Sequence, residues 1–84
     1  MATEVLIYSK ENCPYCVQAK QLLTSLKVDF TEIRVDLDSE KLLEMMQRSE
    51  RRTVPQIFIN AEPIGGCDDL FALYHAGKLK DLLI

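Results

Sequence analysis

The sequence has no excess of positive charge, no long apolar run and too few cysteines for a covalent scaffold. Ten Lys and Arg against 13 Asp and Glu leave a net charge of -3, which argues against a general nucleic-acid binder, since those usually carry a basic excess. No stretch approaches the ~18 consecutive apolar residues of a membrane span. The opening Met-Ala-Thr-Glu lacks the basic and apolar character of a signal segment. Linkers, repeats and low-complexity tracts are also missing, so the 84 residues read as one domain, 1–84, around a single core. The three cysteines are an odd number, with two of them at Cys13 and Cys16. A secreted disulfide scaffold carries an even, denser set. The expectation is a soluble, monomeric, cytoplasmic protein whose cysteines do chemistry in a reducing compartment.

What is present is an alternation of short elements. Residues 4–9 form an apolar, β-branched run expected to be a strand buried on both faces. From 14 to 26 the apolar residues Val17, Ala19, Leu22, Leu23 and Leu26 fall at helical spacing. Residues 31–35 alternate as a second, more exposed strand, and Ser39 with Glu40 opens a second helix with Leu42, Leu43, Met45 and Met46 on its apolar face. A third strand over 56–59 turns at 60–62 into a short fourth one ending at Gly65. A helix from Asp68 follows, broken at Gly77 before a last turn, 79–83. The order βαβαββα implies a right-handed parallel crossover and then an antiparallel hairpin. The predicted fold class is α/β: a four-stranded mixed sheet with helices on both faces.

Cys13-Pro14-Tyr15-Cys16 lies where the first strand hands over to the first helix. Proline suits the first helical position, where no backbone N–H is needed. Cys13 then sits at the helix start, where unpaired N–H groups and the helix dipole favour thiolate; cysteines so placed have pKa values of roughly 3.5–7.5. Lys10 adds positive charge from the loop. Cys16, one turn further in, is expected to be more buried, which separates an attacking sulfur, necessarily accessible, from a resolving one. The competing readings are a structural zinc site, whose other ligands, Cys67 and His75, are not at finger-like spacing, and two incidental core cysteines, which would not explain a proline at the first helical position between them; no metal is assigned. Cys-x-x-Cys at a βαβ start is the context of a redox motif.

Two further motifs are less specific by themselves. Thr53-Val54-Pro55 precedes the third strand; it is either a simple turn or a cis peptide that frees the Val54 backbone for a peptide-like ligand. Gly65-Gly66-Cys67-Asp68-Asp69 opens the third helix; it is either an anion site at a helix start or a glycine turn before an ordinary Asp cap. His75 reads as a cation at a helix C-terminus. Arg48, Arg51 and Arg52 read as a solvated basic patch that can steer acidic partners.

Together, in this order and spacing, Cys-Pro-Tyr-Cys, Thr-Val-Pro and Gly-Gly-Cys-Asp-Asp closely resemble a dithiol glutaredoxin of the short bacterial type, over essentially the whole chain. The resemblance implies the thioredoxin fold, a cis Pro55, and glutathione as co-substrate with no permanently bound cofactor. It implies that Cys13 takes glutathione from a mixed disulfide and that Cys16 resolves substrate disulfides. Glutathione would lie along Lys10, Tyr15, Arg51, Thr53, Val54, Pro55, Gly66, Cys67, Asp68 and Asp69. In that arrangement Lys10, assisted by Arg51 or Arg52, meets the glycine carboxylate and Val54 pairs with the cysteinyl unit. The helix-start amides of Cys67 and Asp68 hold the γ-glutamyl carboxylate, and Asp68 or Asp69 lies near its ammonium. Expected partners are disulfide or glutathionylated proteins, ribonucleotide reductase among them. Pro63 replaces a histidine common in relatives, and Arg51-Arg52 makes that loop unusually basic. The competing functions are an iron–sulfur cluster dimer, which Pro14 disfavours because cluster-binding relatives tend to carry Gly or Ser there, and a redoxin fed by thioredoxin reductase. Cys67 reads as a wall residue of the groove, with a regulatory thiol as the sharper alternative.

Overall fold

Alternate residues of a strand point to opposite faces of its sheet, and in this chain both sets are apolar along the first strand. A computed structural model describes residues 3–83; Met1, Ala2 and Ile84, which the expected domain 1–84 includes, lie outside them. Strand β1 (Val5–Ser9) sends Val5 and Ile7 into one cluster and Leu6 and Tyr8 into another. Helix α1 (Pro14–Ser25) covers the first face with Ala19, Leu22 and Leu23. Strand β2 (Thr31–Arg34) then returns parallel to β1, and Val35 adds one more bond by donating its N–H to the Ser9 carbonyl at 2.9 Å. Helix α2 (Ser39–Ser49) covers the second face through Met45, with Leu42 and Met46 at its rim. Its N-cap is Asp38, whose carboxylate accepts from the Glu40 and Lys41 amides.

Strand β3 (Gln56–Ile59) is buried along its whole length and runs antiparallel to β1. Asn60 and Ala61 both have positive φ, 51° and 70°, the backbone of a tight hairpin turn. Strand β4 (Glu62–Gly65) pairs with β3 at the sheet edge, where Pro63 removes no central ladder bond. Helix α3 (Cys67–His75) returns to the α1 face through Leu70. Gly77, at φ 72°, ends it before the short helix α4 (Leu79–Leu83), which buries Leu79. The strand order is β2-β1-β3-β4, the expected mixed sheet with helices on both faces. One boundary moves in a way that matters: α3 begins at Cys67 rather than Asp68, with Gly66 as its N-cap.

Candidate functional site

The chain leaves β1 through Lys10, Glu11 and Asn12, the last at φ 57°, and enters α1 at Cys13. Cys13 is itself the N-cap, with extended backbone, and Pro14 follows at the first helical position. Where a serine or aspartate oxygen usually caps a helix, a sulfur does so here: the Cys16 N–H donates to Cys13 Sγ at 3.2 Å. The two cysteines are joined as a disulfide, with Cα atoms 5.2 Å apart. The expected difference in exposure is smaller than the sequence suggested, 6% for Cys13 against 1% for Cys16. Cys13 is not openly exposed in this disulfide form, because the loop before β3 lies over it and places the Val54 carbonyl oxygen 3.9 Å from its sulfur. The Val54–Pro55 peptide in that loop is cis.

The start of α3 approaches the same loop from the other side. A side chain at Gly66 would put its Cβ 3.3 Å from the Pro55 carbonyl oxygen, so glycine is what lets the two segments come this close. Between them, with exposed Tyr15 as a third wall, opens a cleft of about 340 Å³ lined by Arg51, Thr53, Val54, Pro55, Gly66, Cys67, Asp68 and Asp69. Nine of the ten side chains expected to meet glutathione, Tyr15 among them, therefore share one hollow. Lys10 is the exception. It lines an adjoining hollow with Arg52, Leu42 and Asp36, and Thr53 and Val54 border both.

The two aspartates differ in what they do. Asp69 accepts from the Gly66 amide at 2.9 Å and from Arg51 Nη1 at 2.8 Å. Arg51, and then the Gly66 amide, hold its carboxyl below the usual carboxylate range. This is half of a capping box, since a glycine N-cap has no side chain to return the bond. The spacing of Asp69 three residues after Gly66 is the sequence signal for it, and the ordinary Asp cap considered above is not formed. Asp68 is exposed and, among the described residues, its carboxylate has no hydrogen-bond or ion-pair partner. Arg51, expected to assist at the glycine carboxylate, is paired with Asp69, and both line the cleft.

Cys67 is free and 5% exposed. Burial, with the nearby Asp68 charge second, pushes its thiol above the ordinary value. Thiolate is the form that oxidises, so mass spectrometry after mild peroxide treatment of the reduced protein is expected to find Cys67 unmodified; a sulfenic acid or mixed disulfide on it would restore the regulatory reading. His75 occupies the last turn of α3, as expected, against the rings of Phe71 and Tyr74. Sequence reasoning did not find the chain of contacts from Ser9 to Glu32 to Lys20 behind the cysteines, because it links three elements and has no local motif.

Residues 5–64 match the family model for glutaredoxin. The chain is 57% identical to Glutaredoxin 3 of Escherichia coli (strain K12), over 94% of this chain and 95% of that protein. It superposes on the solution structure of a glutaredoxin from Brucella melitensis with a TM-score of 0.86 and 48% identity, covering 98% of this chain and 89% of that one. A buckwheat glutaredoxin–glutathione complex gives a TM-score of 0.88 at 32% identity, covering 96% of this chain and 76% of that one.

Proposed function

Because the chain belongs to the glutaredoxin family, and so is a thiol–disulfide oxidoreductase, we propose that glutathione is the thiol that drives it. The observation that carries this reading is the cleft beside Cys13, bounded by Tyr15, the loop 53–55 and the start of α3. Its chemistry suits a γ-glutamyl tripeptide. The N–H groups of Cys67 and Asp68 at the α3 start suit the γ-glutamyl carboxylate, and the unpartnered Asp68 suits the ammonium beside it. Asp69 is already committed to Gly66 and Arg51, so of the two aspartates Asp68 takes that role. Val54 offers its backbone to the cysteinyl unit. Lys10 and Arg52, which share the adjoining hollow, meet the glycine carboxylate, while Arg51 stays paired with Asp69.

The exchange then runs in two steps. Cys13 thiolate attacks the sulfur of a disulfide, forming a mixed disulfide and releasing the first thiol; Cys16 or a second glutathione attacks Cys13 and frees the rest. Protein disulfides, including that of a ribonucleotide reductase, and glutathionylated proteins are the proposed substrates, and the cytoplasm the proposed compartment. Asp68→Asn is expected to raise KM for a glutathionylated peptide up to about fivefold with kcat little changed, as loss of one exposed ion pair is worth at most ~1 kcal/mol. NADPH consumption coupled through glutathione reductase measures this. Turnover supported by thioredoxin reductase but not by glutathione overturns the reading.

A further inference from the structure

Reduction and reoxidation of the pair both put negative charge on Cys16. When an incoming thiol opens the disulfide at Cys13, Cys16 leaves as thiolate; when the disulfide closes, Cys16 must attack as thiolate. Yet Cys16 is 1% exposed, and burial disfavours the charged form of a thiol. Cys13 meets the same problem at the helix start, where its sulfur receives the Cys16 N–H. Cys16 lies inside the first turn, and its own N–H is the one given to Cys13.

The compensating charge lies behind the pair. Lys20 follows Cys16 by four residues on α1, so the two share a face, and helical side chains lean back toward the N-terminus. That brings the Lys20 stem toward Cys16. Its ammonium is held by Glu32 Oε2 at 2.8 Å, and the same carboxylate oxygen accepts from the fully buried Ser9 hydroxyl at 2.5 Å. Cys13, Cys16, Lys20 and Glu32 line one cleft of about 460 Å³, which shares no lining residue with the cleft assigned to glutathione. The other charged groups around it are Lys10 and Glu11 from the loop and Arg34 from β2. Arg34 is tied to Asp36 at 2.6 Å and lies 3.9 Å from Glu11. Glu32 is poorly suited to act as a base for Cys16. Lys20 and Ser9 hold its carboxyl below the ordinary range, so it stays ionised.

We propose that Lys20, positioned by Glu32 and Ser9, stabilises the thiolate of Cys16 in both directions of the exchange. Lys20 keeps its proton throughout. In closure, the Cys16 proton passes to water in the cleft, the thiolate attacks Cys13 Sγ, and the mixed disulfide breaks with its electron pair on the departing thiolate. In opening, an incoming thiolate attacks Cys13 Sγ, Cys16 departs with the electron pair, and water supplies its proton. This rests on Cys13 and Cys16 as the exchanging pair and not on glutathione as the electron source.

The test uses the reduced full chain and the aryl disulfide dithiobis-nitrobenzoate, with no glutathione present. The first thionitrobenzoate released reports attack by Cys13; the second, released from the mixed disulfide, reports closure by Cys16. An opposite charge nearby shifts a titrating group by one to three units, and a partly exposed ammonium belongs at the low end. Lys20→Met is therefore expected to slow the second release about tenfold at neutral pH and to move its pH midpoint up by about one unit. The first release should change less than twofold, which also shows that the variant is folded. Lys20→Arg should restore the second release, and Glu32→Gln should fall between the two. An unchanged second release in Lys20→Met overturns the proposal. So does a loss shared equally by both releases, or a failure of arginine to rescue. A chain that exchanges with the aryl disulfide but not with glutathione would instead defeat only the glutathione reading.

Discussion

Cys13→Ser is expected to lose all activity, whereas Cys16→Ser loses only part of it. A serine hydroxyl at position 13 would still cap α1, since the Cys16 N–H can donate to oxygen as it does to Sγ, so the fold should survive. The chemistry should not, because an alcohol is not ionised at neutral pH and cannot form the mixed disulfide on which exchange depends. With Cys16→Ser, Cys13 retains its helix-start position and its groove. Glutathione can then release a glutathionylated substrate in the absence of the resolving thiol, but a protein disulfide stalls as a covalent complex on Cys13. Parallel assays on a glutathionylated peptide and on a protein disulfide separate the two variants. Cys13→Ser should be at the uncatalysed rate in both, and Cys16→Ser active in the first alone. Deglutathionylation by Cys13→Ser at the rate of the unmodified chain would refute the assignment of the nucleophile.

Phe58→Ala should bring the second-largest loss, this time in stability. Phe58 is 2% exposed in the middle of β3 and packs edge-to-face on Tyr8 with ring centroids 5.6 Å apart. The Arg48 guanidinium carbon lies 4.3 Å from the Phe58 ring centroid, and Arg48 Nη1 donates to the Tyr8 hydroxyl at 2.9 Å, which in turn donates to Glu44 at 2.7 Å. Arg48 is therefore part of the α2 packing as well as of the basic surface. Truncating a buried phenylalanine to alanine costs about 3–5 kcal/mol. A chain of this size has only about 4–12 kcal/mol in total. The variant should therefore lose a large part of its stability, and unfold outright if the chain sits at the low end of that range. Activity should fall with it, because β3 begins one residue after Pro55 and anchors the loop that covers Cys13. Denaturant titration measures the loss, and a cost below about 1 kcal/mol would show that the α2 face does not hold the sheet together as argued. Phe58→Leu, which keeps most of the volume, should cost clearly less.

Most of the fold can be read from periodicity. The switch from period two to period three or four at Pro14, the hairpin residues at 60 and 61, and the glycine at 77 are local signals, and each marks a real boundary. α3 starts one residue before the expected Asp68 because Gly66 caps it through its backbone alone, while Asp69 reaches back from the third position. The cysteine pair is similarly legible, since Cys13, Pro14 and Cys16 are close in sequence and the helix start is itself a local feature. The groove was legible only as three separated motifs. That Gly66 meets the Pro55 carbonyl closely enough to make them one cleft depends on β3 and α3 being brought together by the sheet.

By itself, then, the sequence determined which residues form each element and which two sulfurs exchange, because those depend on neighbours within a turn or two. Only the tertiary structure decided how the charges are shared. It paired Arg51 with Asp69 and left Asp68 open, moved Lys10 out of the main cleft, covered Cys13 with the Val54 carbonyl, and placed Lys20 and Glu32 behind Cys16. The contacts behind this, Arg51 with Asp69, Cys13 with Val54 and Lys20 with Glu32, each join residues 12 or more positions apart. A charged side chain has no periodicity that reveals its partner, so those pairings exist only once β1, β2 and the helices are packed against one another.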